Sequence, residues 1–141
     1  MSGFLLDTNV ISELVRPHPD SRVVKWIDST AESLLYLSVL TLGEIRTGIT
    51  SLVDGRRRVS LESWLDHDLT TRFSGRILPI DSAVADRWGR ISANAKARGS
   101  PMPVIDGLLA ATAMQFDLTV VSRDETFHKL PSLEVFNPWL P

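Results

Sequence analysis

The sequence predicts an α/β fold: a three-layer domain with a mostly parallel central sheet of about five strands flanked by helices. Three observations predict it. Short apolar runs of strand length recur along the whole chain of 141 residues. Between them lie stretches with the three-to-four-residue rhythm of amphipathic helices. Strands that alternate with helices in this way imply right-handed crossovers, which cover both faces of a parallel sheet.

Taken in order, Phe4–Leu6 reads as a first strand that stops at Asp7. A short helix follows and ends at Pro17, and Val23 to Ile27 fits a second short helix. Leu34–Leu37 is the second strand. After it Leu42, Ile45, Ile49 and Leu52 recur at helical steps, which puts Glu44 on a helix but off its most apolar line. A further helix is expected from Arg57 to Phe73, carrying Leu61, Leu65 and Leu69. Ile77–Ile80 is the third strand. Val84, Trp88, Ile91 and Ala95 then mark a longer helix, with Asp81 or Ser82 as its N-cap and Gly99 as its stop. The segment VIDGLLAATAMQF reads as the next helix, with Ile105, Leu109 and Phe116 inward and Asp106 in its first turn. Leu118–Val121 and Leu133–Phe136 complete the strands. No repeat, low-complexity stretch or long linker divides the chain, so residues 1–141 are expected to form a single domain.

Composition narrows the function classes. Hydrophobic residues make up 43% and charged residues 23%, ordinary for a globular protein. The beginning, MSGFLLDT, has no basic region before its apolar residues, and no apolar stretch approaches membrane-spanning length. There is no cysteine, which removes disulfides, thiolate catalysis and cysteine-ligated zinc and fits a cytoplasmic location. The three histidines, His18, His67 and His128, have no paired spacing, which argues against a histidine-rich zinc site. A net charge of −2 argues against a general nucleic-acid coat. It leaves room for an enzyme with an acidic metal site and a basic rim. The dense basic run, Arg56, Arg57 and Arg58, reads as a solvated helix start.

Four acids stand out by placement. Asp7 and Asp124 lie just past predicted strands, while Glu44 and Asp106 lie near the starts of the helices flanking the same edge. In open α/β sheets ligands bind beyond the carboxyl ends of the strands. Carboxylates brought together without a cation repel, and one must retain a proton. A hard divalent ion such as Mg²⁺ resolves this, because it prefers oxygen ligands and is commonly shared with substrate phosphate. The chemistry that follows is metal-assisted hydrolysis of a phosphodiester, with a remaining carboxylate to accept a proton. Each acid also has a structural reading, since Asp is a favoured N-cap. Asp81 is assigned to that role. Thr8 and Asn9 fit local turn bonding, and Ser122 fits either a cap or a residue that steadies a ligand.

Read together, FLLDTNVISEL, SVLTLGEIRTGI, IDGLLAATAMQFDLTVVSRD and EVFNPW resemble the PIN-domain proteins. More closely, they resemble the VapC and FitB-like ribonuclease toxins of bacterial toxin–antitoxin pairs. The resemblance runs from Phe4 to Trp139, in order and with matching gaps. It implies a PIN-like three-layer fold and Mg²⁺- or Mn²⁺-dependent cleavage of RNA. Asp7 and Asp106 match the principal metal-ligand positions, and Glu44 matches an additional ligand or orienting acid. Asp124 stands where relatives carry Asp or Asn after a Thr/Ser-Arg pair. Several carry a further Asp three positions on, where this chain has Phe127, so Asp124 is expected to ligate metal or to position water or substrate. Thr8, Asn9 and Ser122 match supporting polar positions. The resemblance also implies a homodimer, a cognate antitoxin that blocks the site, often with an arginine, and operator DNA bound only through that antitoxin.

Rival readings fit less of the chain. Dimeric aspartic proteases place Asp-Thr-Gly after apolar residues, but they are nearly all β, and here Asn9 replaces the glycine. A phospho-acceptor domain needs a late lysine at a strand end, and Lys96 and Lys129 follow none. The alternative that keeps the fold is a catalytically inactive PIN-like module acting by contact with protein or RNA. Retention of all four acids argues against it.

Overall fold

The computed structural model describes residues 2–141. Strand β1 (Phe4–Leu6) runs almost directly into helix α1 (Thr8–Leu14), and helix α2 (Ser21–Ser29) follows. Strand β2 (Leu35–Ser38) leads into α3 (Val39–Thr50). Helix α4 (Arg56–Ser63) continues through a π-helical stretch (Trp64–Leu69) into the single turn α5 (Thr70–Arg72). The remainder is β3 (Ile77–Leu78), α6 (Ser82–Ala97), α7 (Val104–Gln115), β4 (Thr119–Val121) and β5 (Val135–Phe136).

The expected sheet is present, with five strands in the order β3-β2-β1-β4-β5 and every pairing parallel. Its centre is β1, where Leu5 lies beside Tyr36 on one side and Val120 on the other. Strand order moves outward through β2 and β3 on one side of β1 and through β4 and β5 on the other. The chain therefore switches direction beside β1, which opens a crevice beyond the strand ends there. Successive residues of β1 face opposite sides of the sheet. Leu6 packs with Val10, Ile11, Leu37, Ile45 and Leu69 on one face. Leu5 packs with Leu109, Ala110, Val120 and Phe127 on the other. Two cores on one sheet make the three layers.

Most helix expectations hold. Asp81 caps α6, accepting from the Val84 amide at 2.9 Å. Leu65 and Leu69 are buried as their spacing predicts, although the helix widens around them. Arg56 and Arg57 open α4 exposed to solvent, and Arg58 pairs with Asp54. Phe116 is a correction. It was expected inward but is 41% exposed, because it lies one residue past α7 as its C-cap. The buried positions of α7 are Gly107 and Leu109 to Ala113. At Gly107 a Cβ would meet the Trp88 ring at 3.0 Å, so glycine here lets α6 and α7 approach closely.

A buried acid fixes the turn after α1. Glu13 is 4% exposed and accepts from the Asp20 amide at 2.8 Å and from Arg16 at 3.1 Å. These donors, the Asp20 amide foremost, hold its carboxyl below the usual 4.5. A depressed carboxyl pKa stabilises the fold above the unfolded value, and that contribution is lost as pH falls through the folded one. Glu13→Ala leaves buried donors without an acceptor and should cost about 1–3 kcal/mol near neutral pH. Denaturant titrations of both proteins should show the difference at pH 7 and its narrowing well below pH 4.5.

Candidate active site

The crevice beside β1 is built around Asp7. Asp7 is both the residue that leaves β1 and the N-cap of α1, and it is 7% exposed. One carboxylate oxygen accepts from the Thr8 amide at 2.8 Å, and the other accepts from Ser122 Oγ at 2.8 Å. Ser122, 1% exposed at the end of β4, is the joint of the site. Its hydroxyl oxygen also accepts from Asn9 Nδ2 at 3.1 Å and from the Asp124 amide at 2.9 Å. The two central strand ends are thereby tied together by one hydroxyl. Thr8 reaches sideways instead, donating through Oγ1 to Glu44 on α3 at 2.5 Å. Asp124 caps the short 3₁₀ turn Glu125–Lys129 by accepting from the Thr126 amide at 2.9 Å. Asn9 Oδ1 is buried with no partner.

The four predicted acids sense one another across this crevice. Burial first, and then the charges of Asp124, Asp7 and Glu44, together push the Asp106 carboxyl up from 3.8 to about 6. Asp7 is also raised, chiefly by burial, against the lowering effect of its bonds to Ser122 and Thr8. Among the described residues, none of the four has a lysine or arginine within 4.0 Å. The structure brings the acids to one edge but does not arrange them as a ready-made cage. No group of three or more Asp, Glu or His among the described residues stands at metal-ligand spacing. The physical reason lies in their local bonds: Asp7 is held by Ser122 and Thr8, Glu44 by Thr8, and Asp124 by its own turn. Mutual repulsion acts in the same direction.

The donor set nevertheless suits a hard divalent cation. It consists of carboxylate oxygens with neither thiol nor imidazole, carries excess negative charge, and is not neutralised by the protein. Of the supporting residues, Thr8 and Asn9 do more than bond their own turn, since each reaches a different element. The bond of Ser122 to the Asp124 amide is the cap its position suggests, whereas its reach to Asp7 cannot be read from spacing, because those two residues lie 115 positions apart. Ser122→Ala should destabilise the protein by about 1–3 kcal/mol, since it strips a donor from a buried carboxylate. It should also slow any metal-dependent reaction roughly 10- to 100-fold, as loss of a residue steadying a ligand does. Thermal melts and initial rates against Mg²⁺ concentration would measure both.

A parallel five-stranded sheet with acids at its central strand ends defines the class, and comparison with known proteins agrees. The PIN domain family model matches residues 4–133, and the chain belongs to the PIN-domain family. Within it the chain stands with the VapC and FitB-like group. It is 44% identical over 135 residues to Toxin FitB of Neisseria gonorrhoeae, covering 96% of this chain and 97% of that protein. It is 36% identical over 137 residues to VapC ribonuclease Y4jK of Sinorhizobium fredii, covering 97% and 98% respectively. The crystal structure of FitAcB from N. gonorrhoeae superposes with a TM-score of 0.92 at 43% identity, over 98% of this chain and 99% of that one. FitAB bound to an IR36 DNA fragment gives 0.92 at 41%, over 98% and 96%.

Proposed function

We propose that this protein is the toxin of a type II toxin–antitoxin pair and a Mg²⁺- or Mn²⁺-dependent endoribonuclease. The observation that carries the reading is the set of un-neutralised carboxylates at the central strand ends, in a chain of the same family as a VapC ribonuclease. Asp7, Asp106, Glu44 and Asp124 would hold the ion. When bound, the ion supplies polarisation of the phosphate and a more acidic attacking water.

The chain's own residues do the rest. Ser122 and the Thr8 amide keep the Asp7 carboxylate aimed into the crevice. The Thr8 hydroxyl does the same for Glu44. Asp7 and Asp106 would be the principal ligands, and a carboxylate left free of the ion would accept a proton from the attacking water.

The antitoxin belongs to the same proposal. FitAcB and FitAB are complexes, the latter bound to DNA, and the resemblance to them supports a partner that reaches operator DNA on this chain's behalf. An arginine from that partner would find charge-assisted pairing with the carboxylates. A groove of about 240 Å³ lined by Val15, Ile45, Ile49, Leu61 and Trp64 begins at Thr8 and Glu44 and offers apolar seating beside them. A homodimer is proposed as well, supported by Val39 and Val104, which are 40% and 58% exposed although large and apolar. No helix among the described residues is long and apolar enough to cross a membrane. A cytoplasmic location belongs to the same proposal, since the RNA that a ribonuclease of this family would cut lies there.

Incubation of the purified chain with end-labelled structured RNAs, with and without Mg²⁺ or Mn²⁺, tests the reading. Metal-dependent cuts are expected. Absence of both cutting and metal binding would instead favour the inactive binding module.

A further inference from the structure

The segments leaving the strand ends are acidic or neutral with one exception. After β1 comes Asp7, after β3 Pro79, Ile80 and Asp81, and after β5 Asn137, Pro138 and Trp139. Only Arg123, between Ser122 and Asp124, brings a positive charge there among the described residues. Among the described residues it is one of five arginines, with Arg56, Arg57, Arg87 and Arg98, that hold no carboxylate, and of these five it alone lies over an aromatic ring. Arg22, Arg46, Arg72 and Arg90 each hold a carboxylate. Arg123 holds none among the described residues, although Asp124 is its neighbour in the chain; its guanidinium lies 5.0 Å over the Trp139 ring instead. That ring is itself fixed: Trp139 is 9% exposed and donates its backbone N–H to Asn137 Oδ1 at 2.9 Å.

A guanidinium lying over an aromatic face is attracted through that face and keeps its N–H edge for an anion. An arginine pre-ordered in this way loses less side-chain freedom on binding. It also leaves the neighbouring acids free for a cation. RNA presents repeated phosphates, and a protein with a net charge of −2 needs a local cation to hold them beside its own carboxylates.

We propose that Arg123, backed by the Trp139 ring and unpaired beside Ser122 and Asp124, binds a phosphate of the RNA strand next to the one held at the carboxylates. This rests on the ribonuclease reading above. Bidentate geometry makes the residue specific, so lysine would replace its charge but not its fork.

The test uses full-length protein carrying Asp7→Asn, so that RNA is not cut, and a fluorescein-labelled random-sequence single-stranded RNA followed by anisotropy across a salt series. Adding Arg123→Met should weaken binding roughly 10- to 100-fold, the scale of a hydrogen bond to a charged group. It should also flatten the dependence of log affinity on log salt by about 0.7, the value of one single-strand phosphate contact. Arg123→Lys should keep the slope and recover only part of the affinity. Arg90→Met removes an equal charge from an exposed pair with Asp86 on α6 and should change neither quantity. Unaltered affinity and slope in Arg123→Met, or an equal loss in Arg90→Met, would overturn the assignment while wild-type cleavage still upheld the ribonuclease reading. If the parent binds no RNA and the wild type cuts none, both fall together. Because Arg123 is exposed, circular dichroism should show unchanged folding in its variants.

Discussion

Asp7→Asn is expected to give a folded protein that no longer cleaves RNA. The substitution keeps the shape of the side chain and an oxygen that can accept from the Thr8 amide. It removes the charge at the centre of the sheet's edge and places an amide where Ser122 donates or an ion would sit. Loss of a charge-stabilising group from an active site lowers turnover by about two to three orders of magnitude, and loss of a metal ligand should do at least this. The fold should persist, because burial already disfavours the charged form of Asp7. Far-ultraviolet circular dichroism should overlay the wild type while cleavage at saturating Mg²⁺ disappears. Full activity with metal controlled would remove Asp7 from the chemistry.

Asp106→Asn is expected to move activity and stability in opposite directions. Activity should fall as for Asp7→Asn. Stability should rise, for the following reason. The Asp106 carboxyl keeps its proton up to about 6 in the fold but releases it near 3.8 when unfolded. Between those values the folded state binds more protons, so stability from this group declines as pH climbs through that window and stays low above it. A neutral amide does not incur this cost. With solvent screening discounted, the gain above pH 6 is on the order of 1 kcal/mol, or roughly 3–5 °C in Tm. Melting curves of the two proteins should separate at pH 8 and converge near pH 4. An Asn variant that melts lower at every pH would show that the acid holds the fold rather than burdening it.

Much of this architecture was legible because short parallel strands buried on both faces are written as bare apolar runs. Phe4–Leu6 is observed as read, whereas Ile77–Ile80 shortens to Ile77–Leu78 because this edge strand has a neighbour on only one side. Helix periodicity placed Val84 and Ala95 correctly and Phe116 wrongly, since periodicity carries no information about where a helix ends. The acids were legible for a different reason: strand ends converge on one edge, so Asp7 and Asp124 could be brought together before any contact was known. Their supports were not. The links from Ser122 to Asp7, from Thr8 to Glu44 and from Arg123 to Trp139 depend on side-chain reach between distant segments, which no spacing rule encodes. Glu13 is hidden likewise, an ordinary polar residue of a short helix whose carboxylate closes the turn that follows it.

The central claim is that carboxylates left un-neutralised by the protein use a divalent cation to hydrolyse RNA. The most direct measurement is the rate of cutting of an end-labelled structured RNA by the purified wild-type chain as Mg²⁺ is titrated against EDTA. Cutting that vanishes in EDTA, returns with excess Mg²⁺ and is missing from Asp7→Asn at every concentration is the predicted result. Cutting at the same rate in EDTA, or in the Asp7→Asn protein, would contradict it.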